Sequence, residues 1–152
     1  MPLDVELATR PIRPGDLMES FIRGRPLDGA VVSFIGLARG QGRDGDAVRR
    51  LQLALYPGMT ERSMLATADA AQERFEVSDI LVRHRCGELS PEEPIVLVAV
   101  ASPHRRQAFL AADYVMDRLK TEAAFWKREH KAGGATWVEP SASDRADLAR
   151  WS

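Results

Sequence analysis

The stretch Ile95–Glu122, IVLVAVASPHRRQAFLAADYVMDRLKTE, decides the fold. Ile95–Ala101 is an apolar run rich in β-branched residues, the composition of a strand. Ser102 is a helix-capping residue type, and Pro103 suits a first helical position because its missing N–H is not needed there. Ala108, Ala112, Val115, Met116 and Leu119 then recur at helical spacing and form one apolar stripe to bury on a sheet. The spacing predicts a helix over about 103–122.

Working outward, Val5–Thr9 reads as a short strand, and Pro14–Gly15 precedes a short helix over Asp16–Arg23. Gly29–Gly36 (GAVVSFIG) reads as a buried strand. The Gly-rich polar loop Arg39–Gly45 follows, and Ala47–Tyr56 resumes as a strand, so the two are expected to form a hairpin with a long loop. Thr60 is placed to cap a helix running to about Arg74, with Glu61 in its first turn. Asp79–Arg85 is a further strand, joined to Ile95–Ala101 through the turn-rich Gly87–Pro94. Phe125–Lys131 and Ala135–Glu139 look like a closing hairpin, and Asp144–Trp151 like a terminal helix. Helices and hairpins alternate unevenly, which favours an α+β fold over a doubly wound sheet.

The chain has 152 residues, which suits one domain, 1–152. Its formal charge of −1 removes the simplest argument for a nucleic-acid or membrane-surface partner. No apolar run approaches the ~20 residues of a membrane span. Met1–Arg10 lacks the basic and apolar regions of a secretory signal, so a cytoplasmic location is expected. One cysteine, Cys86, excludes an internal disulfide and reads as a small apolar filler. The basic set is lopsided: 18 Arg against three Lys, at Lys120, Lys127 and Lys131. Coding composition alone could produce that ratio.

The small net charge conceals basic segments. Residues 10–50 carry eight basic and five acidic side chains, and residues 104–131 carry seven and four. Two such stretches could meet in one anion site or remain solvated faces. A helix opening at Pro103 would place its free N–H groups beside His104 and Arg105, an arrangement that suits phosphate or carboxylate. The same residues suit an ordinary surface helix start.

Lys120 lies just past the apolar stripe, and Lys127 lies in the following strand. A lysine pKa falls when the group is desolvated or near another cation. Two in one pocket could hold an anion while one handles a proton; separately, each could be a solvated lysine. Arg39 opens the glycine loop, whose Gly40-Gln41-Gly42 matches neither phosphate-binding fingerprint. His84, His104 and His130 lack metal-ligand spacing, so no metal is assigned.

Taken together, the chain resembles the large, catalytic subunits of molybdopterin synthase. The resemblance is carried by GAVVSFIGLAR (Gly29–Arg39), LYPGMTE (Leu55–Glu61), HRCGEL (His84–Leu89), SPHRRQAF (Ser102–Phe109), MDRLKTEAAFWKRE (Met116–Glu129) and WVE (Trp137–Glu139). It covers about residues 29–139 in matching order and spacing.

The resemblance implies an α/β-hammerhead-like fold with antiparallel sheets. It implies a homodimeric core within a heterotetramer and no cofactor. The expected partner is a small ubiquitin-like carrier whose C-terminal Gly-Gly ends in a thiocarboxylate. The expected substrate is cyclic pyranopterin monophosphate, which receives two sulfurs to become molybdopterin. The family's pocket positions fall on Arg39, His104, Arg105, Lys120, Lys127, Arg128 and Glu129, with both large subunits contributing to each pocket. Lys120 and Lys127 are the expected catalytic pair. Cys86 is not expected to relay sulfur.

The chain departs from the family pattern at Leu55, where histidine is common. It departs again at Leu37 and Ala38, where a basic residue is common, and at Pro140 and Ser141, where an arginine often follows WVE. The last two departures remove cations that could touch the phosphate or the carrier tail. A non-catalytic module that docks a ubiquitin-like tail, and a generic enzyme acting on phosphate esters, are the other readings.

Overall fold

A computed structural model describes residues 3–122 and 125–152. Two four-stranded sheets share the strands. The first has the order β1 (Leu3–Ala8), β4 (Asp79–Arg85), β6 (Pro94–Ser102), β2 (Ala30–Leu37). The second has the order β5 (Gly87–Leu89), β3 (Arg50–Leu55), β7 (Phe125–Lys131), β8 (Gly134–Val138). Every pairing between these strands is antiparallel except β1 with β4, which is parallel. The helices are α1 (Pro14–Ile22), α2 (Met59–Arg74), α3 (Arg105–Thr121) and α4 (Ala142–Ala149). No helix among the described residues is long and apolar enough to cross a membrane.

The run Ile95–Ala101 is apolar on both strand faces because β6 is central and covered twice. Val96, Val98 and Val100 face a core shared with α2 and α3, while Leu97, Ala99 and Ala101 pack under α1 beside Ile12 and Phe21. On α3, Ala108, Ala112, Val115, Met116 and Leu119 are all buried, as their spacing requires. A third, smaller cluster of Ala38, Leu51, Leu53 and Leu89 lies at the junction of the sheets.

Four expectations are corrected. The strands Gly29–Gly36 and Ala47–Tyr56 do not form a hairpin: β2 pairs with β6, and β3 pairs with β5 and β7. The intervening loop passes from one sheet to the other, held by Ala38 N–H to Glu93 O at 2.8 Å and Arg49 N–H to His130 O at 2.8 Å. Alternation within a strand fixes which side chains share a face but not which neighbour it pairs with.

Secondly, β2 is not a buried strand. It is a sheet edge, with Phe34, Ile35 and Leu37 exposed. Thirdly, α3 starts at Arg105 with His104 as N-cap, later than the Ser-Pro pair suggests. Ser102 stays in β6: Gly29 N–H donates to its carbonyl, and its hydroxyl donates to Glu76 O and accepts from His104 N–H. These bonds and its pairing with Ala30 keep Ser102 in the strand, so the helix opens only after the turn through Pro103. Fourthly, Gly58, not Thr60, is the N-cap position of α2, and the Thr60 hydroxyl accepts from Tyr56 N–H. The turn Gly87–Pro94 also contains a strand, β5, too short for its pattern to show.

Candidate active site

The pocket forms where the end of the first sheet meets the last turn of α3 and the inner face of the second sheet. Its floor is one cross-strand row, His84, Val96 and Gly36. A Cβ at Gly36 would lie 2.7 Å from Val96 Cγ1, so the row closes tightly only with glycine there. Met116, Leu119 and Lys120 descend from α3. Strand alternation sets the opposite wall: Leu53 pairs with Lys127 and Leu51 with Glu129, all facing inward. The cavity is about 290 Å³.

Among the residues proposed from sequence, Arg39, Lys120, Lys127 and Glu129 line this pocket. Arg128 does not. It lies between Lys127 and Glu129 on β7 and so faces the other side of the sheet, where its guanidinium sits over Trp137 at 5.2 Å. His104 and Arg105 lie at the opposite end of α3 from Lys120, roughly 24 Å away along the helix at ~1.5 Å per residue. His104 is exposed, with Nε2 4.0 Å from Glu76 Oε2. A single copy of the chain does not bring the helix start and the lysine pair together.

Two pocket cations shape the chemistry. Lys120 is exposed at the rim. Lys127 is mostly enclosed, and burial, followed by the positive charge of Lys120, holds its pKa below the ordinary lysine range. Desolvation and a like charge both disfavour the ammonium. The third lysine is used differently. Lys131 donates to Asp44 Oδ2 at 2.6 Å and ties the glycine loop to β7. A Cβ at Gly42 would lie 2.8 Å from Lys131 Nζ, so glycine makes room for that ion pair.

Sequence reasoning missed Arg43 and the pocket position of His84. Arg43 Nη2 donates to Glu139 O at 2.8 Å and lines the pocket from the loop. His84 follows Ile80 and Val82 on the same inward face of β4, and that period of two was the available signal. Cys86 lies outside the pocket lining, buried against Ala8, and burial raises its thiol pKa. No group of His, Cys, Asp or Glu able to hold a metal occurs among the described residues.

The architecture is that of a two-sheet α+β protein with a part-enclosed cationic pocket between the sheets. A sequence profile described as MoaE protein matches residues 7–122, and the chain belongs to that family. The molybdopterin synthase catalytic subunit of Caulobacter vibrioides is 47% identical over 97% of this chain and 96% of its own length. That of Ralstonia nicotianae is 52% identical over 84% of this chain and 72% of its own length. The molybdopterin biosynthesis MoaE protein of Burkholderia ambifaria superposes with a TM-score of 0.79 at 35% identity, covering 99% of this chain and 97% of that one.

Proposed function

We propose that this chain is the catalytic subunit of a molybdopterin synthase, a sulfurtransferase of molybdenum cofactor biosynthesis working as one domain in the cytoplasm. The convergence of Lys120, Lys127 and Arg39 on one pocket carries this reading. The sulfur donor is the thiocarboxylate at the Gly-Gly end of a small ubiquitin-like carrier, and the acceptor is cyclic pyranopterin monophosphate. Both are anions, and the pocket cations suit them.

In each of two rounds, sulfur bonds to a side-chain carbon of the pterin as a carbon–oxygen bond at that carbon breaks, the oxygen leaving protonated as water or staying on the opened phosphate. The carrier acyl group is then joined to the pterin through sulfur. Water then cleaves the acyl–sulfur bond, giving a carrier carboxylate and a pterin thiol. Lys120 polarises the acyl carbonyl and stabilises the charge that develops on its oxygen. Lys127 holds the thiocarboxylate and the departing carboxylate. His104 and Arg105 act on the phosphate from a second copy of the chain, the core of a heterotetramer with two carriers.

The test is to mix the full chain with thiocarboxylated carrier and cyclic pyranopterin monophosphate and to assay molybdopterin. Product supports the enzyme; carrier binding without product supports a docking module. Two variants refine the reading. Cys86→Ala transfers sulfur at the wild-type rate at fixed carrier concentration, because sulfur comes only from the carrier; a lost transfer contradicts this.

Lys127 sheds its proton at a lower pH than a free lysine, so transfer that needs its ammonium falls as pH rises through that lowered value. Lys127→Arg stays charged. Its single-turnover rate is lower, and its alkaline limb moves to higher pH. An unmoved limb assigns that titration to another group.

A further inference from the structure

We propose that His84 contacts the substrate, accepting a hydrogen bond at Nε2 from a ring N–H of the pterin. This rests on the pterin reading above and adds a residue to it.

The imidazole is fixed by two contacts. Its Nδ1 lies 2.8 Å from Arg85 O, and a carbonyl can only accept, so Nδ1 carries the hydrogen. Its ring stacks on Phe125, with centroids 3.9 Å apart and planes 21° from parallel. Its strand neighbour Val96 completes the pocket floor. The tautomer therefore leaves Nε2 with a lone pair, and no described residue bonds to it. Burial, reinforced by the charges of Lys120 and Lys127, lowers the ring pKa to about 4, so the ring stays neutral at physiological pH.

Neutrality suits this position. The pocket needs its cations free for phosphate and thiocarboxylate. A carboxylate acceptor on the floor would pair with the lysines and cancel that charge. Two of the three acidic residues lining the pocket are engaged elsewhere: Asp144 accepts from Ser141 N–H in the α4 capping box, and Glu129 lies 3.9 Å from Lys131 Nζ; the third, Glu139, comes from the segment after β8 and not from the floor. A neutral imidazole accepts from a heterocyclic N–H without neutralising anything.

The test compares wild type, His84→Phe and His84→Gln as full chains, without oxygen. Phe keeps the stacking and removes the acceptor; Gln restores an oxygen acceptor at similar reach. The readouts are equilibrium binding of cyclic pyranopterin monophosphate, KM and kcat for turnover, and affinity for the carrier. Expected is at least a tenfold weaker pterin affinity and a raised KM in His84→Phe, substantial recovery in His84→Gln, and unchanged carrier affinity in both. Unchanged pterin binding in His84→Phe overturns the proposal. So does a parallel loss of pterin and carrier affinity in both variants, which marks a structural role, and so does a wild type that binds no pterin. A wild type that binds pterin but yields no molybdopterin contradicts the sulfur-transfer reading and leaves the His84 contact standing.

Discussion

Lys120→Ala lowers single-turnover sulfur transfer by about 10²–10⁴-fold while leaving the carrier complex and the fold intact. The expectation follows from where Lys120 sits. It is in the last turn of α3, exposed at the pocket rim, and its ammonium makes no hydrogen bond or ion pair to another described residue. Its truncation strands no ion-pair partner at an exposed position, so little stability is lost. What it removes is the ammonium nearest to Lys127 in effect, the like charge that helps depress the Lys127 pKa. The Lys127 pKa should therefore move up toward the ordinary range in the variant. Rapid-quench assays and carrier titration check both halves. A near-normal rate, or loss of carrier binding in step with rate, contradicts the assignment.

Glu93→Ala destabilises the fold by about 3–5 kcal/mol, or roughly 6–20 °C in Tm at about 2–4 °C per kcal/mol for a chain of this size. Arg85 is 5% exposed and its guanidinium donates to the Glu93 carboxylate, which is 20% exposed. The other Glu93 oxygen accepts from Ser90 N–H at 3.0 Å, and Arg85 Nη2 donates to Glu88 O at 3.2 Å. Removing the carboxylate leaves a buried guanidinium without its counter-charge.

The same residue's backbone joins the sheets: Glu93 O accepts from Ala38 N–H, next to Arg39. A loosened joint therefore also displaces a pocket cation. Replacing both partners, Arg85→Met with Glu93→Leu, recovers much of the loss because no uncompensated charge remains. Urea and thermal unfolding of the single and double variants check this. A Glu93→Ala loss under about 1 kcal/mol, the size of an exposed pair, shows that the pair is not buried in effect.

The elements were legible where one residue pattern had one physical solution. The α3 stripe allowed only a helix with a buried face, and the unbroken apolar run of β6 suited only a strand covered on both sides. Pairing was not legible. The alternation in β2 and β3 is satisfied equally by a hairpin or by separate sheets, and the loop through Ala38 decides it with backbone hydrogen bonds that leave no mark in side-chain type. The start of α3 is not legible locally: Ser-Pro resembles a cap and first turn, while Gly29 and Glu76, which bond Ser102 into the strand, are distant in sequence.

The site was legible in part for the same reason. Lys127 and Glu129 share a face by alternation, and that rule also turns Arg128 away. Arg43 reaches the pocket through a loop whose course the local sequence does not set. Lysine is scarce in this chain, and two of its three lysines line the pocket. Lys120 and Lys127 meet in one pocket, where a group able to lose its proton differs most from arginine, and Lys131 serves as an ion-pair tie.

The central claim is that this chain moves sulfur from a carrier thiocarboxylate to a pterin. Intact mass of the carrier after a single turnover tests it most directly. The carrier C-terminus should convert from thiocarboxylate to carboxylate only when both this chain and cyclic pyranopterin monophosphate are present. A thiocarboxylate that survives with both present contradicts the claim.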